Sequence, residues 1–330
     1  MSKRILGVGS PLVDILSQVP HEHLDKVDGE KGGMEMVSYE KLQEMISEAG
    51  SHEMAPGGSA ANTILGLLKL GFGGSFLGKI GNDARGEFFI KSLKDAGGCH
   101  SRLKVCGETP TGTCLSLVTP DAERTLRPFL GAAANMLLHE IHEDDFKDHD
   151  HVHIEGYLLF NRELALKTLK AAKAAGCNVS LDLASFEVVN ANKDVLPEML
   201  AGYVDMVFAN EEEAKAWCNS DDPEEALNSL AEHCETVAVK LGAEGAWVHH
   251  KGDKVFVDAH KVNAIDTTGA GDLWASGFLY GLLSGLSPEK SAKLASKVGA
   301  EVVQIMGASI PEETWINIRI FLENLNEELK

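Results

Sequence analysis

Basic residues are scarce in this chain: 30 Lys and Arg stand against 50 Asp and Glu, a formal net charge of −20 at pH 7. Nucleic acids and anionic membranes are bound through clustered cations, so neither is an expected partner. Apolar runs are short, and none approaches the roughly 20 residues of a membrane span. The N-terminal MSKRILGVGSPLVDIL is interrupted by Gly, Pro and Asp14, unlike a secretory signal. The six cysteines, Cys99, Cys106, Cys114, Cys177, Cys218 and Cys234, include no CxxC pair. They are expected to be reduced thiols of a cytoplasmic protein. The histidines of HEIHEDDFKDHDHVHIEG (139–156) lack HExxH or Cys/His zinc spacing. No GxSxG accompanies any serine.

What is present is an ordinary globular composition, 44% hydrophobic over 330 residues, enough for a sizeable core in one large domain or two. Short apolar runs at 4–10, 75–80, 151–156, 178–183, 204–209 and 236–241 read as buried strands. Amphipathic segments at 59–70, 83–96, 162–175 and 223–234 lie between them. This alternation predicts an α/β fold, a mostly parallel central sheet with helices on both faces. His250-Lys-Gly-Asp253 reads as a hairpin turn. Two stretches break the pattern, about 11–50 and 102–130. In the second, RLKVC, TGTCLSLVTP and RTLRPFL read as strands, with a hairpin turn at 119–124. They predict a small β-sheet able to act as a lid. Tyr39 and Phe129 are the only aromatics in these insertions.

DTTGAGDLWASGF (266–278) concentrates the chemistry. Trp274, Phe278 and Leu282 recur every four residues, so a helix begins near Gly271. Thr267 to Gly271 then form its entry, where unpaired N–H groups and the helix dipole favour an anion. Asp272 falls in the first turn. It is a dipole-complementing acid on an ordinary reading, and a general base if a phosphate occupies the same helix end. The stretch is neither a P-loop nor GxGxxG. Gly57-Gly58 enters the 59–70 helix, with Ser59 as the expected cap if the helix is merely structural. With a ligand there, the glycines admit it to the backbone and Asn62 faces it. Gly66 and Gly71 suit packing and a C-cap. Asp14, expected at the carboxyl end of the first strand, could grip two sugar hydroxyls or be an exposed turn acid. Asn210 caps a helix whose first turn is acidic. With Glu213 it could hold water around Mg²⁺. Gly242 and Gly245 suit a tight turn or a nucleotide lying over it.

Together these motifs resemble the ribokinase/PfkB carbohydrate kinase family, over nearly the whole chain, through GGSAANTILGLLKLGFGGSFLGKIGNDARGEFF (57–89) and DTTGAGDLWASGF (266–278). GSPLVDIL, TGTCLSLVTPDAERT, EGYLL, NEEEA and AEVVQIMGAS are most similar to the adenosine kinase-like branch. The resemblance implies a single ribokinase-like domain over 1–330, a three-layer αβα sandwich with a small β-sheet lid. It implies transfer of the γ-phosphoryl group of ATP to a primary hydroxyl of a nucleoside or sugar, with a ribokinase- or fructokinase-like sugar kinase as the alternative. It makes Asp272 the base and the N–H groups of Gly269, Ala270, Gly271 and Asp272 the anion hole. Asp14, Gly57, Gly58, Asn62 and Arg124 would contact the acceptor. Asn210 and Glu213 would organise Mg²⁺ and phosphate, and Lys240, Gly242 and Gly245 would lie along the nucleotide. Lys240 departs from the Thr or Ser of many members, and Trp274 from a smaller aromatic. Asp266, Thr268 and Ser309 match a monovalent-cation site, with K⁺ as its ion. The state is monomer or homodimer.

Overall fold

The computed structural model describes residues 3–121 and 123–327. The chain enters through β1 (Arg4–Val8) and β2 (Leu12–Gln18), then α1 (His21–Leu24), α2 (Tyr39–Ala49) and β3 (Glu53–Gly57). It continues through α3 (Ser59–Leu70), β4 (Gly73–Leu77), β5 (Lys79–Gly81), α4 (Ala84–Asp95), β6 (Lys104–Cys106), β7 (Gly112–Val118) and β8 (Arg124–Phe129). Regular alternation follows: β9 (His151–Glu155), α5 (Arg162–Ala174), β10 (Asn178–Asp182), α6 (Phe186–Asn192), α7 (Leu196–Tyr203) and β11 (Met206–Asn210). After α8 (Glu211–Cys218), α9 (Pro223–Ala231) and β12 (Thr236–Lys240) comes the hairpin β13 (Gly245–His250) and β14 (Asp253–Asp258). Three helices close the chain: α10 (Ala270–Leu283), α11 (Pro288–Val302) and α12 (Glu312–Glu327).

The eight-stranded sheet has the order β14-β13-β12-β11-β10-β9-β1-β4, parallel except for β13 and β14. Its inner strands are buried and mostly apolar because both faces are covered, with His151, His153 and Ser180 among the polar exceptions. Leu6, Ile154, Leu181, Val207 and Val239 pack with α5 to α9 on one side. Ile5, Phe76, Phe208 and Ala238 pack with α3, α10 and α11 on the other. The turn of the terminal hairpin runs through Lys251 and Gly252 at φ +51° and +96°, the backbone a tight hairpin requires.

A second sheet, β3-β2-β7-β8, stands apart. α2 covers its back, where Ile15, Leu42, Met45, Leu115 and Leu117 form their own small core. Its membership differs from the sequence reading in two ways. β3 joins it from outside the expected insertions. β6 leaves it, pairing instead with β5. The single strand expected over 75–80 is broken at Gly78, where a Cβ would lie 2.5 Å from the Gly9 carbonyl oxygen. Asp14 sits within β2, so it belongs to this smaller sheet and not to the end of a core strand. No helix among the described residues is long and apolar enough to cross a membrane.

Candidate active site

α10 begins where the sequence placed it. Gly269 is the N-cap at φ +66°, a left-handed conformation costly for a side chain, and a Cβ there would lie 2.6 Å from Ala308 Cβ. The Ala270 N–H donates to the Thr267 carbonyl at 3.2 Å. Among the described residues the N–H groups of Gly271 and Asp272 donate to no protein acceptor. Ala270 is therefore a weaker member of the expected anion hole than its neighbours.

Asp272 is held from α3. Ser59 Oγ donates to Oδ1 at 2.8 Å and Asn62 Nδ2 to Oδ2 at 3.0 Å. Thr63 Oγ1 adds a bond to the Asp272 carbonyl at 3.1 Å. The N-cap of α3 is Gly58 at φ +101°, not Ser59, whose hydroxyl is turned to Asp272 instead. Gly66 lets α3 approach α10, since a Cβ there would lie 2.5 Å from Ser276 Oγ. Gly71 closes the helix at φ +109°. Desolvation lifts the Asp272 carboxyl to about 6. Asn62 and Ser59 oppose the shift, and the Asp182 carboxylate adds to it. A carboxyl tuned toward neutrality is suited to accepting a proton.

The smaller sheet faces this helix end. Asp14 lies over the first glycine of the GG pair, because a Cβ on Gly57 would fall 2.3 Å from Asp14 Oδ1. Burial raises Asp14 to about 6 against the pull of Arg124, so it is no exposed turn acid. Arg124 reaches Asp266 at 3.5 Å. Asp266 also accepts from the Thr268 N–H at 2.9 Å, the Thr268 hydroxyl at 2.5 Å and the Gly307 N–H at 2.7 Å. Both of its oxygens are thus engaged. Ser309 is exposed on the same loop, and among the described residues it gives Asp266 no hydrogen bond.

Four neighbouring strands of the main sheet end in a polar residue at its carboxyl edge. Glu155, Asp182, Asn210 and Lys240 end β9, β10, β11 and β12 in turn. Lys240 Nζ pairs with Asp182 Oδ2 at 2.8 Å, and a Cβ on Gly271 would lie 3.1 Å from that Nζ. Burial alone would lower the Lys240 ammonium, but Asp182 and Glu213 outweigh it and the net shift is upward, so the group stays charged. Asn210 and Glu213 form a reciprocal capping box: the Asn210 N–H and Nδ2 donate to the Glu213 carboxylate at 2.8 and 2.7 Å, and the Glu213 N–H returns a bond at 2.9 Å. Glu213 is buried beneath Asn210 and raised to about 7 by desolvation and by Asp182, with Lys240 opposing.

Beside Asn210, Lys240 and Gly271 opens a cavity of about 820 Å³, the size of a small-molecule site. Ala259, Val262, Ala264, Trp274 and Val303 give it an apolar wall, and Gly242, at φ +51°, borders it. Gly245 does not. Its missing Cβ admits the Val257 carbonyl oxygen, which would lie at 2.2 Å, so it serves the β13–β14 hairpin. Among the described residues no three His, Cys, Asp or Glu converge as a metal cage. His151 Nε2 and His153 Nδ1 instead share Ser180 Oγ, at 2.8 and 2.9 Å, inside the sheet.

Two unengaged N–H groups at a helix start, a neighbouring carboxyl of raised pKa and an adjoining cavity suit a group-transfer site. The model of the pfkB family carbohydrate kinases matches residues 29–315. The chain belongs to this family. It is accordingly a phosphotransferase with an alcohol group as acceptor, and the family implies ATP with Mg²⁺. Adenosine kinase from Sinorhizobium meliloti has the same fold at 29% identity and TM-score 0.87, over 98% of this chain and 99% of that one. A probable sugar kinase from Rhizobium etli matches at 30% and 0.88, over 98% and 100%. A 5-dehydro-2-deoxygluconokinase from Shouchella clausii is 29% identical over 84% of this chain and 89% of its own. The relatives of this pfkB-family kinase thus include both nucleoside and sugar kinases.

Sequence reasoning missed Asp182, Glu155, the turn of Ser59 toward Asp272, and Tyr157 with Phe160. The signal for the first two was available: an acid ending an otherwise apolar parallel strand marks the carboxyl edge, where such sheets bind ligands.

Proposed function

We propose that this kinase transfers the γ-phosphoryl group of ATP to a primary hydroxyl of a nucleoside, with Asp272 as general base. One observation carries the reading. At the start of α10 the Asp272 carboxylate and the open N–H groups of Gly271 and Asp272 lie between the 820 Å³ cavity and the Asp14 side of the smaller sheet. ATP would occupy the cavity with its phosphates toward Gly271 and Lys240. The acceptor would lie under the lid, its hydroxyls on Asp14 and near Gly57, Gly58 and Asn62. Asp272 takes the hydroxyl proton, the acceptor oxygen bonds to the γ-phosphorus, and the bond from that phosphorus to the β–γ bridging oxygen breaks to release ADP. The transition state of such transfers is loose, so charge placement dominates. Gly271 and Asp272 N–H groups, Lys240 and Arg124 would supply it.

Mg²⁺, when bound, neutralises phosphate charge. The donors present suit a hydrated ion brought by the nucleotide, since that ion keeps several waters. Asn210 would hold it through water, with Glu213 fixing Asn210 from below. The positive charge at Asp266 comes from Arg124 in this reading, not from K⁺.

The lid supports the nucleoside. Leu12 and Leu16 share the face of Asp14, and Leu126 pairs with Ser116 on that face. Met34, bridged to Leu126, is 55% exposed. At the sheet edge Tyr157, whose hydroxyl lies in the fields of Asp272 and Glu155, stacks with Phe160 at 6.5 Å. Apolar and aromatic surfaces of this kind suit a flat base, whereas a sugar needs only the hydroxyl-binding acids. The sugar kinase reading is favoured by relatives such as the 5-dehydro-2-deoxygluconokinase. Transfer from γ-labelled ATP to a panel of nucleosides, pentoses, hexoses and 5-dehydro-2-deoxygluconate decides between them. A nucleoside should give the highest kcat/KM. A sugar or sugar acid outranking every nucleoside would overturn the acceptor assignment and leave Asp272 in place.

A further inference from the structure

Glu155 is a buried carboxylate that the chemistry above does not use. It ends β9, is 1% exposed, and has no Lys or Arg within ion-pair distance among the described residues. Two backbone N–H groups take the place of a counter-cation. Ser10 N donates to Oε1 at 2.7 Å and Ala60 N to Oε2 at 3.3 Å. These donors belong to different parts of the molecule. Ser10 lies between β1 and β2, where the chain leaves the main sheet for the lid. Ala60 lies in the first turn of α3, between Ser59 and Asn62, the two residues that hold Asp272.

Gly9 is shaped to this carboxylate. A Cβ there would fall 2.2 Å from Glu155 Oε2, 2.3 Å from Cδ and 2.7 Å from Cγ. Its φ is not in the left-handed region, so space and not backbone conformation excludes a side chain. An acid at the first turn of α3 also suits that helix's dipole. Burial without such donors would be costly for any carboxylate, and burial does raise Glu155 to about 7 even with them. A residue needed only to fill this space would be apolar.

We propose that Glu155 is a positioning residue that joins the root of the lid to the helix holding the Asp272 base, through the Ser10 and Ala60 N–H groups. The inference rests on the assignment of Asp272 as base. When the lid root moves, Ser10 moves against Glu155, and the same carboxylate steadies the turn that orients Ser59 and Asn62. Opening or loosening of the lid is thereby felt at the base without any contact between Glu155 and substrate.

The test uses the full chain without ligand, by hydrogen exchange. Glu155→Gln keeps the shape but turns an NH₂ toward one of two N–H donors. Exchange should accelerate on the order of tenfold in the peptides containing residues 10–12 and 60–63, and not in β12. A second pair of variants probes the space. Gly9→Ala should reproduce the loosening in the wild-type background and lose most of its effect beside Glu155→Ala, which makes room for the methyl. With adenosine as acceptor, Glu155→Gln should lower kcat about tenfold and shift KM for ATP less than threefold. Unchanged exchange in both segments, or equal damage from Gly9→Ala in both backgrounds, would overturn the proposal. If the wild type does not phosphorylate adenosine, the acceptor assignment fails, while the exchange results still decide the role of Glu155.

Discussion

Asp272 shows how a single residue can be adjusted by neighbours far away in sequence. Ser59 lies 213 positions from it, yet its hydroxyl determines where one carboxylate oxygen points. Ser59→Ala should lower kcat several-fold with little change in nucleotide affinity. A drop in affinity equal to the drop in kcat would instead make Ser59 a binding residue. The raised carboxyl has a stability consequence as well. Its folded pKa, about 6, lies above the ordinary value of 3.8, so its contribution is present at low pH and is lost as pH rises through 6. Asp272→Asn should therefore raise the melting temperature of the ligand-free protein at pH 8, with the gain fading by pH 5. A variant less stable than wild type at pH 8 would contradict the desolvation account. Asp272 was legible in the sequence because its motif is local. Glu155 was not, because its donor Ser10 lies 145 positions away and nothing local marks the pair.

Among the elements, helices were the most legible. α3, α4, α5 and α9 fall within a few residues of their amphipathic periods, since a 3.6-residue stripe survives in any tertiary context. Strands of the smaller sheet were less so. β3 is EMAPG, with neither alternation nor β-branched residues, and forms because β2 offers it a partner. Lys104–Cys106 looked like part of the lid because periodicity does not say which sheet a strand joins. The α3–α10 contact is the element on which the site depends, and its glycines give a direct test. Gly58→Ala meets both a φ of +101° and a Ser10 carbonyl oxygen 2.1 Å from the new Cβ. It should destabilise by about 2 kcal/mol or more and cripple turnover. Gly66→Ala, pressed on Ser276 Oγ, should cost about 1–3 kcal/mol, and less in a Ser276→Gly background. Equal melting temperatures for Gly66→Ala and wild type would show that the helices have room to spare.

At the scale of the whole molecule, the α/β alternation and the smaller separate sheet were both foreshadowed, while the pattern of buried charge was not. Asp14, Glu155, Glu213 and Asp272 are held at about 6, 7, 7 and 6, and their contribution declines as pH rises through those values. Desolvation holds the buried imidazoles of His151 and His153 at about 3 and 4, so the unfolded chain takes up protons below pH 6.5 that the folded one refuses. That share of the stability falls as pH drops from 6.5 toward 4, but over the same range four carboxyls gain protons on folding against two imidazoles that refuse them. The ligand-free melting temperature should accordingly decline as pH rises from about 5 to 8. A melting temperature rising steadily from pH 5 to 9 would contradict this balance. The same charge pattern explains how a chain of net charge −20 handles polyanions. In the proposed reading phosphate would be met by helix N–H groups, Lys240, Arg124 and a metal, not by a basic surface.

The account turns on Asp272 as the base that accepts the acceptor's proton, and single-turnover phosphoryl transfer by Asp272→Asn, with ATP affinity measured on the same preparation, tests it most directly. Transfer should slow by about 10²–10⁴-fold, with the Kd for ATP within about threefold of wild type. Transfer at a rate close to wild type, with ATP bound as tightly, would show that another group takes the proton.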